Sequence, residues 1–326
     1  MQIRSWWSLA LVVLAFLPAD ATTTDAADSI GIRLAEIPAS AADDPRARLY
    51  IVDHLAPGTT ISRRVEISST ADAAAQVGLY AAAATITGGA FLGSDGRTAN
   101  DLSSWTTITP GEVDIPANGT MEGSITIDVP ADAAPGEHYA VVWAEVRAGE
   151  DANGVVMVSR VGIRIYLSVG PGGPPAANFV IESLTASRTS DGQPVVVATV
   201  KNTGGRALDM SGTLDLGGGP GDLSAGPFDA RLGTTLAVGE SEPVTVALDN
   251  QVPAGPWDAT ITLRSGLLEI SANATITFPD NGEAARVDIW AAQQWLLYLV
   301  ALVVIAGIAG AYALRRPAKA SHARKH

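Results

Sequence analysis

The sequence predicts an all-β protein: two tandem immunoglobulin-like β-sandwiches followed by one C-terminal transmembrane helix. Three observations lead there. Short segments of alternating apolar and polar residues recur from residue 29 to 279, separated by Pro, Gly, Asn and Asp turns. The stretch Pro171-Gly-Gly-Pro-Pro175 interrupts them once, where neither helix nor sheet can continue. From Ile289 to Leu314 there is a run of 26 residues without a charge, long enough for a helix to cross a bilayer core of roughly 30 Å.

In chain order, residues 1–21 read as a signal peptide. Arg4 supplies the positive start, Leu9-Ala-Leu-Val-Val-Leu-Ala-Phe-Leu17 the apolar centre, and Ala19-Asp20-Ala21 a small-x-small cleavage site. Residues 29–170 form the first sandwich, with strands expected near 48–53, 60–68, 75–81, 105–109, 121–129, 137–147 and 155–169. Turn signals lie between them, among them Ala56-Pro-Gly58, Pro116-Ala-Asn-Gly119 and Asn153-Gly154. Residues 171–177 are the linker and 178–279 the second sandwich. The two sandwiches echo each other. Val129-Pro-Ala and Val252-Pro-Ala each open a Pro-containing turn before a strand, and each is preceded by a strand that follows a Gly turn. Residues 280–294 are expected to be a juxtamembrane stalk, 295–314 the transmembrane helix, and 315–326 a basic tail. Trp295 and Tyr298 at one end and Tyr312 at the other suit the two interfaces, and Arg315 and Arg316 hold the tail on the cytoplasmic side. The expected location is therefore the cell membrane, single-pass, with the ectodomain extracellular and the C-terminus cytoplasmic.

Charge and motifs narrow the function. The net charge is −13, and residues 22–294 alone carry 15 bases against 33 acids. Such a field disfavours nucleic acid and anionic lipid surfaces as partners. Cysteine is absent, which removes disulfides, thiol nucleophiles and lipid attachment through a thiol. Of four histidines only His54 and His138 lie outside the tail. No H-E-x-x-H, G-x-S-x-G or G-x-x-x-x-G-K-[ST] pattern occurs. No catalytic residue, metal ligand or cofactor is assigned. Gly217-Gly-Gly-Pro-Gly221 has no following Lys-Ser/Thr and reads as a loop.

One surface stands out. An Asn153-Gly154 two-residue turn would pair strand 137–147 with strand 155–169 so that Trp143 faces Arg164 and Val141 faces Tyr166. Tyr139, Trp143, Glu145, Arg164 and Tyr166 then share the face turned away from the core and are the candidate ligand-binding residues. Aromatic rings beside Arg and Glu could hold sugar rings. The same set also satisfies a cross-strand cation–π ladder, or a contact with another sheet.

Three segments resemble the peptidoglycan-binding domain of WxL-interacting proteins, membrane-anchored surface proteins of Gram-positive cells. They are Ser104-Trp-Thr-Thr-Ile-Thr-Pro110, Val129-Pro-Ala-Asp-Ala-Ala-Pro-Gly-Glu-His-Tyr139 and Ser159-Arg-Val-Gly-Ile-Arg-Ile-Tyr-Leu-Ser-Val169. The order of signal peptide, two sandwiches, one span and basic tail is similar too. The resemblance implies peptidoglycan as ligand of the first sandwich and host or partner binding for the second. It fixes no binding residue. The expectation is a non-enzymatic surface module for cell-wall glycan or a surface protein. The alternatives are a structural spacer or subunit of a membrane complex, and a wall-acting hydrolase.

Overall fold

The structure is a computed structural model, and it describes residues 30–38, 41–147, 154 and 156–289. The predicted signal peptide and transmembrane helix, with Trp295, Tyr298, Tyr312, Arg315 and Arg316, lie outside the described residues. Among the described residues no helix is long and apolar enough to cross a membrane.

The first sandwich contains β1 (Ile30–Leu34), β2 (Ile51–Leu55), β3 (Thr60–Ser69), β4 (Ala75–Thr87), β5 (Ala90–Gly93), β6 (Thr106–Thr109), β7 (Glu112–Ile115), β8 (Thr120–Asp128), β9 (Gly136–Arg147) and β10 (Val158–Val169). One sheet runs β1-β3-β8-β6. The other runs β2-β10-β9-β4-β5, with β7 also on β4. Strand alternation builds the core directly. Val65, Ile67, Ile125 and Ile127 of one sheet are buried against Ala140, Val142, Ala144, Ile163 and Ile165 of the other, and each large aliphatic so placed contributes about 1.5–3 kcal/mol. All pairs are antiparallel except β2 on β10, which are parallel. A short helix, α1 (Asp101–Trp105), precedes β6 where the sequence suggested strand from Trp105. Asn100 and Ser103 close a capping box over its first turn.

The second sandwich contains β11 (Phe179–Arg188), β12 (Pro194–Asn202), β13 (Leu208–Asp209), β14 (Ser211–Gly217), β15 (Ala225–Asp229), β16 (Thr235–Leu236), β17 (Ser241–Ala247), β18 (Trp257–Ser265), β19 (Leu268–Ile276) and β20 (Ala284–Val287). Its sheets are β17-β12-β11-β20 and β15-β14-β18-β19, with β13-β16 as a separate pair. Val196, Ala198, Val200, Val244 and Val246 pack against Leu214, Leu216, Ile261, Leu263 and Trp257. The echo in the sequence corresponds to equivalent places. β8 and β17 each lie in the first sheet of their sandwich, and β9 and β18, after their Val-Pro-Ala turns, each cross to the other.

Two expectations are corrected. Of the expected stalk 280–294, the described residues, which end at 289, are not free of the sandwich: β20 pairs with β11, Leu184 opposite Val287 and Ser187 opposite Ala284. The cause is alternation, since Val287, and Ile289 beyond it, turn their side chains onto the second core. The Asn153-Gly154 hairpin is also not a two-residue turn. Val158 pairs with Arg147, so residues 148–157 connect the strands. Gly149, Glu150, Asp151 and Asn153 are poor strand formers.

Candidate functional site

The longer connection moves the β9–β10 register by two residues relative to the expected one. Trp143 lies opposite Gly162, Val141 opposite Arg164 and Tyr139 opposite Tyr166. A shift of two preserves parity. Tyr139, Trp143, Glu145, Arg164 and Tyr166 are therefore on one face, away from the core, but the face is not open along its length. It divides into an interface and a groove, with Trp143 between them.

The interface half is covered by the second sandwich. Asp209 on β13 is its centre. Its Oδ2 lies 2.9 Å from both Nε and Nη2 of Arg46. Its Oδ1 accepts from Tyr166 Oη at 2.8 Å, from Thr235 Oγ1 at 2.9 Å and from Arg164 Nη1 at 3.3 Å. Arg46 is presented by a one-turn 3-10 helix, Pro45–Arg48, whose start is capped by Asp44. It is only 6 % exposed. A buried guanidinium is tolerable when its charge is answered, and Asp209 answers it, although Nη2 lies outside hydrogen-bond geometry. Here Nη1 also donates to Ala207 O at 3.1 Å, and the guanidinium lies 4.7 Å from the centre of the Tyr166 ring. Tyr166 itself, 2 % exposed, packs on Tyr50, Phe91 and Tyr139 at centroid distances of 5.7, 5.1 and 6.0 Å. Arg164 lies over Tyr50 and Phe91.

A second carboxylate closes this interface. Glu137 Oε2 accepts from Ala207 N at 2.6 Å and from Tyr139 Oη at 2.7 Å. Burial raises the Glu137 pKa, and those hydrogen bonds together with Arg46 and Arg206 only partly oppose the rise. Burial also raises the phenols of Tyr139 and Tyr166, assisted by the charges of Glu137 and Asp209 respectively, so both remain O–H donors at neutral pH. Thr235 N to Gly89 O, 2.8 Å, adds a backbone link between the sandwiches.

Trp143 marks the division. A Cβ at Gly162 would fall 2.7 Å from its Cε3, and a Cβ at Gly93 2.7 Å from its Cζ2. The indole thus occupies space that only glycine leaves. Arg160 lies 5.2 Å from its ring centre and is itself held by Asp95 at 2.6 Å.

The groove half lies over Gly78 on β4. In register, Gly78 is flanked by Glu112 of β7 and Glu145 of β9. With no side chain at Gly78, the sheet is bare between the two acids. Gln76, Tyr80, Arg97 and Arg147 complete the walls of a cavity of about 740 Å³. Tyr80 Oη donates to Glu145 Oε2 at 2.5 Å, Arg147 Nε donates to Oε1 at 2.7 Å, and Arg97 lies 4.5 Å from the Tyr80 ring centre. Burial pulls the Glu145 pKa upward, but the Tyr80 and Arg147 hydrogen bonds outweigh it, and the carboxyl is held below its usual range. The groove therefore offers a fixed carboxylate, exposed guanidinium groups and a covered aromatic ring.

Of the five residues predicted from sequence, Glu145 lines the groove, Trp143 separates the halves, and Tyr139, Arg164 and Tyr166 meet the second sandwich. Gln76 and Tyr80 were legible as alternate positions of a predicted strand. Arg97 lies in a loop with no signal. Arg46 and Asp209, 163 residues apart, had none either. His54 bridges Ser168 and Gly172, and His138 packs on Trp105 at 5.0 Å. Among the described residues no group of three or more His, Cys, Asp or Glu could hold a metal ion.

No protein-family model and no curated protein matches the chain. Among solved structures it is similar to a chain of the Salmonella enterica SafA pilin–SafB chaperone complex, at 8% identity and TM-score 0.40, covering 74% of this chain and 95% of that one. The YadV chaperone matches at 11% identity and TM-score 0.38, covering 79% and 99%. The E. coli chaperone DraB matches at 10% and 0.37, covering 69% and 94%.

Proposed function

We propose that the chain is a non-enzymatic binding module of the cell envelope, and that its ligand is wall glycan held in the groove over Gly78. One observation carries this reading: Glu145 and Glu112 flank a bare strip of sheet, with Gln76, Arg97 and Arg147 around it. Carboxylate, amide and guanidinium groups side by side suit a ligand rich in hydroxyl, amide and carboxyl groups. The resemblance of the first sandwich to the WxL-interacting family supports peptidoglycan as that glycan. The uncharged run 295–314 and the basic tail support a single membrane anchor that holds the sandwiches outside, facing the wall.

A hydrolase reading has less support. Glycoside hydrolysis pairs an ionised carboxylate with one kept protonated as general acid; Glu145, held below its usual range by Tyr80 and Arg147, suits only the first of these roles. The second reading is a rigid spacer or subunit of a membrane complex. The Asp209 cluster favours it, because a buried charge network joining two sandwiches fixes their relative setting.

Sedimentation with insoluble cell wall tests the proposal. The full chain in detergent should pellet with the wall well above an unrelated acidic sandwich protein, and equal recovery would sink the glycan reading. Cross-linking in intact cells addresses the spacer reading: one dominant protein adduct, with no wall adduct, would favour it.

A further inference from the structure

Edge strands expose unpaired backbone groups, and proteins blunt them with short length, Pro, charge or bulges. Among the described residues nearly every edge of this molecule follows that rule. β1, β2, β5, β6, β7, β15 and β20 are five residues or shorter. β17 is seven residues long, but it contains Pro243 and is bridged at Val246 by Ala230. The part of β10 that β2 leaves uncovered carries Arg160 and Arg164, and the part of β11 beyond β20 carries a bulge. β19 is the exception. It has nine residues, Leu268-Glu-Ile-Ser-Ala-Asn-Ala-Thr-Ile276, paired with β18 in unbroken register without a bulge. It contains no Pro, Lys or Arg. Among the described residues its outward N–H and C=O groups meet no other backbone.

We propose that β19 is an association edge, and that its occupant is β19 of a second copy of this chain, added antiparallel. Three features favour a second copy. The strand reads alike in both directions about Ala272. Leu268 would face Ile276 of the other copy, Ile270 would face Ala274, Ser271 would face Asn273, and Glu269 would face Thr275. Every pair is apolar with apolar or polar with polar, and no like charges oppose. The edge is also locally neutral in a chain of net charge −13: its single acid, Glu269, is already paired with Arg264 at 2.6 Å. Finally, Leu268 and Ile270 are only half-buried at the rim of the core, and the adjoining Leu267 is 72 % exposed. Pairing supplies apolar cover there, together with the missing ladder of backbone hydrogen bonds. The four-stranded sheet β15-β14-β18-β19 would continue across a two-fold axis into its copy.

The absence of native cysteine makes the test clean. Full-length chains carrying Ser271→Cys, or Thr262→Cys one strand inland, are treated in membranes with a short thiol cross-linker, and the mass of the native chain in detergent is measured by light scattering. The proposal expects a dimer, linked through position 271 and not through 262. The double variant Ser271→Lys/Asn273→Lys places four like charges about the axis and should reduce dimer by at least about tenfold, with an unchanged circular dichroism spectrum. A monomer at every concentration overturns the proposal. So does a dimer that tolerates both lysines while linking through 262, or a position 271 that links only to a different protein.

Discussion

At the scale of single residues, two positions on the β9–β10 face carry opposite requirements. Gly162 is required because it has no side chain, since the indole of Trp143 fills the space a Cβ would need. Gly162→Val should cost about 1–3 kcal/mol by overpacking, read as a lower denaturant midpoint with altered indole fluorescence. Asp209 is required for its charge. Arg46, Arg164, Tyr166 and Thr235 all converge on it. Asp209→Ala leaves the Arg46 guanidinium buried without its counter-ion and should cost about 3–5 kcal/mol. Thermal unfolding should then separate into two transitions, one for each sandwich. Glu145 sets a pH dependence of its own. Its folded pKa is depressed, so its contribution is present above the ordinary carboxylate range and is lost as pH falls through the folded value. Tyr80→Phe removes one of the hydrogen bonds that depress it, and the acid limb of a stability–pH curve should move to higher pH.

At the scale of elements, α1 is a five-residue helix that depends on its cap. Asn100 accepts from Ser103 N at 2.9 Å, and its amide also donates to Tyr139 O at 2.7 Å, tying α1 to β9. Asn100→Ala should destabilise the first sandwich by about 1 kcal/mol or somewhat more, measurable by urea denaturation. The Asn100-x-x-Ser103 spacing was visible in the sequence, but the β-rich surroundings and Trp105 drew the reading to strand. The longer strands of both sandwiches were legible because alternation and Pro/Gly turns are local signals, whereas β1, β5, β7 and β15, each five residues or shorter, were not. The facing of β9 and β10 was legible too, because parity depends only on alternation. Their register was not, because it depends on where the ladder ends, at Arg147 opposite Val158, and Asn153-Gly154 gave a misleading turn signal. β20 was missed because Ala284–Val287 is short and its alternation weak, and it gains its place only from the edge of β11. The groove was half legible: Glu145 came from the hairpin, while Arg97 reaches Tyr80 from a loop with no period. The Asp209 cluster lay beyond any local pattern.

At the scale of the whole molecule, the two sandwiches are joined by an interface that is itself sensitive to acid. Glu137 is buried there, and its folded pKa is raised. A carboxyl raised on folding contributes most below its unfolded pKa, and the contribution is lost as pH rises through the folded value. The interface should therefore tighten toward acid as far as Glu137 is concerned. Glu137→Gln removes the buried charge, so it should be at least as stable as the native chain at neutral pH and lose that advantage as pH falls. Melting temperatures across the carboxylate range check this. The same division of the molecule bears on function. Arg97 and Glu112 belong to the groove, whereas Asp209 belongs to the joint. The most direct test of the proposed function is the fraction of full-length chain retained on insoluble cell wall, measured for the native protein and for Arg97→Ala/Glu112→Ala. The native chain should be retained well above an unrelated acidic sandwich protein, and the groove variant should lose about tenfold in affinity, the equivalent of 1.4 kcal/mol. Native retention no higher than the control, or a groove variant that binds like the native chain, would contradict the account.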